Sequence, residues 1–309
     1  MVTGGCGYIG SHTIVDLIEN GFDIISVDNN SRSSEHLLEG IEKITGKKIK
    51  NYKVDLCDFN DTSAIFEENE DIAGIIHFAA YKAVGESVEK PLLYFENNLV
   101  SLINLLKCVE FFKIPYFVFS SSCTVYGNPD HIPVTETSPT KAAESPYGYT
   151  KQMGKPQNLV PVITQSAIGK LPGITVFGNN YDTRDGSCVR DFIHVSDLAH
   201  AHTLALQYLI EQKSKNNPEV FNLGTGSGIT VLETIKTFEK ITGVALNYSI
   251  GANRPGDVIA IYANNDKARQ QLGWQPQFAL EDILSTAWAW EQKLKEDEKL
   301  FTGKNIQLN

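Results

Sequence analysis

The chain is short of the residues that build disulfide frameworks, metal centres and membrane spans. Its five cysteines, Cys6, Cys57, Cys108, Cys123 and Cys188, are scattered, with no Cys-x-x-Cys pair. An odd, dispersed set in 309 residues argues against a disulfide framework and for reduced thiols in the cytoplasm. Among the seven histidines there is no His-x-x-x-His spacing, and His200 and His202 are too close on a helix to face one way. Metal chemistry is therefore not expected. No apolar run reaches the roughly 18 residues that suggest a membrane span, and no charged-then-apolar leader is present. Positive charge is scarce as well: 27 Lys and Arg face 37 Asp and Glu, for a net charge of −10. That balance argues against nucleic acid or an anionic membrane as partner, while local arginines can still form a pocket for a small anion. The cluster Gly224-Thr225-Gly226 lacks the following Gly-Lys-Ser/Thr of a phosphate loop. No internal repeat is evident. What remains, 42% hydrophobic and 21% charged, is ordinary globular composition, enough for one large or two medium domains.

The richest stretch comes first. Val2-Thr3 reads as a strand, Gly4-Gly5-Cys6-Gly7-Tyr8-Ile9-Gly10 as a turn, and Ser11 to Ile18 as a helix. Gly4 can take positive φ for the tight turn. Gly7, without a Cβ, lets the backbone approach a pyrophosphate, and Gly10 lets helix and strand pack closely. The phosphates would lie on the helix N-terminus, where free N–H groups and the dipole favour anions. Gly21 is placed to cap the helix. A second strand, Asp23 to Val27, ends at Asp28, 18 residues past Gly10, where a dinucleotide fold puts a carboxylate on the adenosine ribose. Only three residues precede Gly4, fewer than the five or six usual for a strand, so residues are expected to be missing before Val2.

Further strands follow at Lys50 to Val54, Gly74 to Phe78 and Tyr116 to Phe119. The first ends at Asp55-Leu56. Asp55 could accept from an adenine amine or cap a helix, a role for which Asp58 competes. The second ends at Ala79-Ala80, small enough for a cofactor to lie alongside, and then Lys82. The third ends in Ser120-Ser121-Ser122-Cys123-Thr124, hydroxyls where open α/β sheets bind ligand. Between them, Leu92, Phe95, Leu99, Leu102, Ile103, Leu106 and Val109 recur at helical steps as one apolar stripe, with Asn97 beside it. Pro146 suits a helix start, and four-residue spacing puts Tyr147 and Lys151 on one face.

After Lys151 a crossover helix should run on and return through a sixth strand. Instead Gly154-Lys155-Pro156 breaks it, and no Val/Ile-rich run appears until Ile174 to Phe177. The break reads either as a deletion or as residues missing after Gly154. Beyond it, Asn158 to Ile168 and Asp197 to Ile210 read as helices. Arg190 to Val195 and Glu219 to Leu223 read as strands, Asn179 to Ser187 as a loop, and Asn253 to Asp257 as a turn with a charge pair. Trp288 and Trp290 are expected to pack the C-terminal helix.

Together, Thr3 to Gly10, Asp28-Asn29, Asp55-Leu56, His77 to Ala80 with Lys82, Ser120 to Gly127, Tyr147-x-x-x-Lys151, Arg190 to Val195 and Arg254 to Asp257 resemble the UDP-glucose 4-epimerase family. These enzymes, also called UDP-galactose 4-epimerases, belong to the extended short-chain dehydrogenases/reductases. The resemblance covers nearly the whole chain. It implies an α/β doubly wound parallel sheet of Rossmann type with a smaller C-terminal α/β substrate domain. Residues 1–154 would bind NAD and 155–309 the nucleotide sugar, with about 190–225 returning to pack on the first domain.

The same resemblance implies a tightly held NAD, a UDP-hexose substrate, a homodimer and a place in galactose metabolism. Cofactor contacts would come from Gly4, Gly7, Tyr8, Ile9, Gly10, Asp28, Asn29, Asp55, Leu56, Phe78, Ala79, Ala80, Lys82, Asn97, Ser120, Tyr147 and Lys151. Ser122, Tyr147 and Lys151 would be catalytic. Asn158, Leu159, Phe177, Arg190, Arg254, Asp257 and Ile261 would line the substrate, Ile261 standing where relatives often carry Tyr or Cys. Family members carry about thirty more residues after Lys151, with a strand and a sugar-contacting Asn. A Tyr147 phenolate near pH 7 needs its pKa lowered by roughly 3, which Lys151 and a cationic nicotinamide would supply. A 4,6-dehydratase would want an acid pair near Ser122, where Cys123-Thr124 stands, and a decarboxylase an extra cation. An NAD-binding redox sensor would need neither Tyr147 nor Lys151.

Overall fold

Short apolar strands alternating with amphipathic helices in the first 120 residues build a parallel sheet. The structure is a computed structural model that describes residues 1–142, 145–151, 159–253 and 257–304. In chain order, β1 (Val2–Thr3), α1 (Tyr8–Glu19), β2 (Ile25–Val27), α2 (His36–Thr45), β3 (Lys50–Tyr52), α3 (Phe59–Glu68) and β4 (Gly74–His77) alternate. Next come the short α4 (Val84–Glu89) and α5 (Pro91–Phe95), a π turn, α6 (Ser101–Phe111) and β5 (Tyr116–Phe119). The five strands are parallel in the order β3-β2-β1-β4-β5, a Rossmann-type sheet. Backbone pairing continues past the strand ends: Asp28 N donates to Tyr52 O, Phe78 N to Thr3 O and Ser120 N to His77 O. The chain segments leaving β2, β4 and β5 are thus aligned at one carboxyl edge, where such sheets bind ligands.

The rest of the chain is built of smaller pieces. Helices α7 (Pro146–Lys151), α8 (Leu159–Ala167), α9 (Val195–Ile210), α10 (Val231–Thr242), α11 (Asp266–Leu272) and α12 (Leu280–Lys304) surround two two-stranded sheets. One pairs β6 (Ile174–Phe177) with β9 (Tyr248–Gly251), the other β7 (Val189–Arg190) with β8 (Ile229–Thr230). Ile163, Ile174, Val176, Ile235, Phe238 and Leu284 form this region's own core. Helix α9 turns back and packs on α1, β4 and β5.

Four expectations are corrected. Glu219–Leu223 forms no strand. A strand needs a ladder partner, and among the described residues no sixth strand lies beside β5. Phe221 instead packs edge-on against Tyr208, and Asn222 is held by Glu136 and Tyr126. The run Arg190 to Val195 is a strand only at Val189–Arg190, because His194 caps α9 by accepting from Ser196 N. The apolar stripe of the α5–α6 segment points outward: Leu92 is 71% exposed and Ile103 50%. Its buried face carries Tyr94, Asn98, Ser101, Asn104, Leu105 and Cys108. Trp288 packs on Phe238, but Trp290 is exposed. The breaker Gly154-Lys155-Pro156 lies outside the described residues.

Candidate active site and cofactor cradle

The glycine turn is shaped by contacts that a side chain would destroy. Gly4 has φ +70°, and a Cβ there would stand 2.8 Å from Ala79 N. A Cβ on Gly10 would stand 2.2 Å from Gly4 O, so the turn closes onto the first turn of α1. Gly7 is the N-cap of α1 and supplies no side-chain acceptor to its N–H groups. The bare helix start, with Tyr8 and Ile9, is a cradle for an anion. Asp28 stands beside it: one carboxylate oxygen accepts from Cys6 N at 3.1 Å, the other from Asn30 N and the Ser33 hydroxyl. Asn29 shapes the same turn by accepting from Ser31 N. This donor set fits a dinucleotide: glycines for the pyrophosphate and a carboxylate at the end of β2 for the ribose.

The walls are mixed. Asp58 caps α3, as the competing reading had it, while Asp55 accepts only locally, from Cys57 N. The Leu56 side chain is buried in the core and its carbonyl accepts from Asn104. Phe78 packs on His202, at 4.7 Å between ring centres, and on the α1 core cluster. Ala79 and Ala80 are half-buried beside the turn. Lys82 is exposed, yet crowding lowers its pKa. Asn97 donates to Asn98, and Asn98 bonds both the N–H and the C=O of Tyr81 and the Thr150 hydroxyl. Asn98 was not among the expected residues; its signal was an amide facing the protein on an otherwise apolar segment.

Helix α7 brings the catalytic candidates to the end of β5. Lys151 Nζ donates to Ser120 O at 2.8 Å and lies over the Phe119 ring, and Ser121 Oγ donates to Lys151 O. Burial lowers the Lys151 pKa to about 8. Tyr147 is 2% exposed and packs edge-on against Tyr94 at 6.0 Å. Burial pushes its phenol well up, with Cys123 and Tyr94 adding to the rise. Burial outweighs any lowering by Lys151 in this arrangement. Ser122 opens the next turn as its N-cap, accepting from Thr124 N.

On the substrate side, Arg190 and Asp257 are 3.6 Å apart, and Arg190 also donates to Val189 O and Val258 O. Tyr181, unforeseen from the sequence, senses both charges and crowds Gly178. Phe177 ends β6, 40% exposed. Leu159 packs on the second core. Ile261 is buried with Tyr126, Val134 and Val258 in a cluster that also touches Cys123, next to Ser122. Asn158 and Arg254 lie outside the described residues. The glycines at 224–226 serve packing: a Gly224 Cβ would stand 2.3 Å from the Asp191 carboxylate, which accepts from Thr225 and Ala263.

Comparison with known proteins identifies the chain's relatives. The UDP-glucose 4-epimerase of Bacillus subtilis is 40% identical, over 94% of this chain and 96% of that protein. The chain belongs to the UDP-glucose 4-epimerase family. The epimerase uge1 of Schizosaccharomyces pombe is likewise 40% identical over 95% of this chain and 94% of its own length. The crystal structure of the Bifidobacterium longum epimerase, in complex with NAD+ and UDP, is 40% identical with a TM-score of 0.89, covering 94% of this chain and 97% of that one. The UDP-Glc/GlcNAc 4-epimerase of Campylobacter jejuni is 34% identical with a TM-score of 0.81, over 94% and 98% of the two chains. The broader family model, GDP-mannose 4,6 dehydratase, matches residues 1–156 and 154–287. The two matches meet where the sequence interrupts its crossover helix.

Proposed function

We infer that this chain is an NAD-dependent epimerase that inverts C4 of a UDP-hexose, interconverting UDP-glucose and UDP-galactose. One observation carries the reading: α7 carries buried Tyr147 one turn before Lys151, and Lys151 is tied to Ser120 and Ser121 at the end of β5, in the same sheet edge as the glycine cradle. NAD, when bound, would supply a reversible two-electron hydride acceptor for C4 and a positive charge. Gly4, Gly7, Gly10 and Asp28 would hold it, with Asp55, Ala79, Ala80, Lys82 and Asn97 along its length. Tyr147 takes the proton from O4 as C4 is oxidised and gives it back as the 4-keto sugar is reduced. Its pKa must fall for this, and Lys151, still protonated near pH 7, is the chain's own cation for the task. Ser122 orients O4 and shares its proton. Arg190 and Asp257, with Arg254, would anchor the diphosphate and ribose, so that affinity resides in UDP while the hexose turns over.

The dehydratase chemistry named by the broader family model finds less support. It needs an acid and a base beside Ser122, where Cys123 and Thr124 stand, and the carboxylate that Cys123 senses, Asp191, is engaged by Thr225 and Ala263. The outward stripe of α5–α6, with Leu92, Val100, Ile103, Leu106 and Phe111 exposed, supports a homodimer through this face. Five free thiols support a cytoplasmic enzyme, with a place in galactose metabolism. Among the described residues no helix is long and apolar enough to cross a membrane. The test is direct. Purified protein is denatured, the released nucleotide identified, and UDP-galactose turnover followed as UDP-glucose formed. NAD and product are expected; recovery of NADP, or 4,6-dehydration in place of epimerisation, overturns the reading.

A further inference from the structure

Arg32 is exposed, but its guanidinium donates to both oxygens of Glu86, at 2.6 and 2.9 Å, and lies 4.2 Å over the Tyr81 ring. Both ends of this contact are anchored. Arg32 sits on a turn tied back to Asp28 through Asn30 N and the Ser33 hydroxyl. Glu86 accepts from the hydroxyl of buried Tyr94 at 2.8 Å, and the same hydroxyl takes the Ala83 N–H.

The sheet order gives the contact its meaning. Arg32 follows β2, whereas Tyr81 and Glu86 follow β4, and β1 lies between these strands. A bridge from one side to the other must pass over the carboxyl end of β1, which is the glycine turn of residues 4–10. We propose that Arg32 and Glu86 form a clasp across the dinucleotide groove and set how long NAD stays bound. The proposal rests on the NAD reading above. A planar two-bond fork stacked on an aromatic ring is a geometry that Arg holds and Lys does not. Because the guanidinium side chain is 45% exposed and the carboxylate 23%, salt weakens the clasp without abolishing it.

The experiment uses the holoenzyme. It is diluted into a trap of alcohol dehydrogenase and ethanol, which converts each released NAD to NADH, and the release rate is read by absorbance. Arg32→Ala and Glu86→Gln are compared with the unaltered protein at low and high salt. Gln keeps an acceptor for Tyr94, so the second variant removes charge without emptying a buried partner. Each variant is expected to release NAD about fivefold faster at low salt, the scale of a well-formed surface ion pair. High salt should speed release from the unaltered protein and leave both variants unchanged. Release rates equal to the unaltered protein overturn the clasp. So does fast release from Arg32→Ala alone, which would mean that Arg32 grips the cofactor itself. Unaltered protein that carries no NAD overturns the cofactor reading as well, and is distinguished by the missing nucleotide.

Discussion

The cofactor region and the substrate region are built on different rules. In residues 1–120 each strand is followed by a helix that returns to lay the next strand beside an earlier one, and five strands share one sheet. In residues 159–304 the strands pair only in twos, one pair parallel and the other antiparallel. The first region repeats one strand–helix unit within a single sheet, and the second has no such repeat. Where a partner is absent among the described residues, as beside β5, Glu219–Leu223 has a strand's composition without a strand's conformation.

The largest test asks whether the chemistry lies where the regions meet. Tyr147→Phe removes one oxygen from a buried ring and should cut turnover by about 10²–10⁴, the usual contribution of a general base, with UDP binding kept. Retention of more than about a tenth of the activity, only about 1.4 kcal/mol of barrier, would mean that another group takes the proton.

A second test separates the regions by acid. Burial lowers His77 to about 3 and His202 to about 4. His77 is on β4 and His202 packs on Phe78, so both belong to the cofactor region. Their folded pKa values lie below the unfolded value of about 6.5, so the stability they allow is complete above that pH and is lost as pH falls towards 4. Between pH 6.5 and 4.5 the loss should be about 2 kcal/mol for each. Trp288 packs on Phe238 in the second region, whereas Trp274 packs on α9 with Ala201. In a Trp274→Phe variant, circular dichroism should therefore report acid unfolding before tryptophan fluorescence does. Coincident transitions would show that the regions unfold as one unit.

Ile103→Asp, on the outward face of α6, should convert a dimer to monomer in sedimentation while leaving the fold intact, since Ile103 is half-exposed. An unchanged mass would place any association elsewhere. The smallest effect expected is on substrate breadth. As the proposed wall of the sugar site, Ile261 would leave more room for an acetamido methyl than a Tyr there, but it is stiff and offers no hydrogen bond. An unpaired amide costs about 1–3 kcal/mol, so the balance between UDP-GlcNAc and UDP-glucose should be close. Ile261→Tyr should lower kcat/KM for UDP-GlcNAc relative to UDP-glucose several-fold, about 1 kcal/mol. A constant ratio removes Ile261 from the pocket wall.

By itself the sequence determined the cofactor region: the glycine spacing, Asp28 closing β2, the ends of five strands and the Tyr147–Lys151 face of α7. Each is a local signal, carried by turn chemistry or by periods of two and 3.6 residues, and local signals survive without their surroundings. The tertiary structure decided the rest. It turned the apolar stripe of α5–α6 outward, because the amides of Asn98 and Asn104 are needed inside to hold the turns after β4 and β3. It placed Tyr181 beside Arg190 and Asp257, and it closed Arg32 on Glu86 across β1. None of these contacts has a sequence period, since each joins segments whose separation is fixed only when the sheet is assembled.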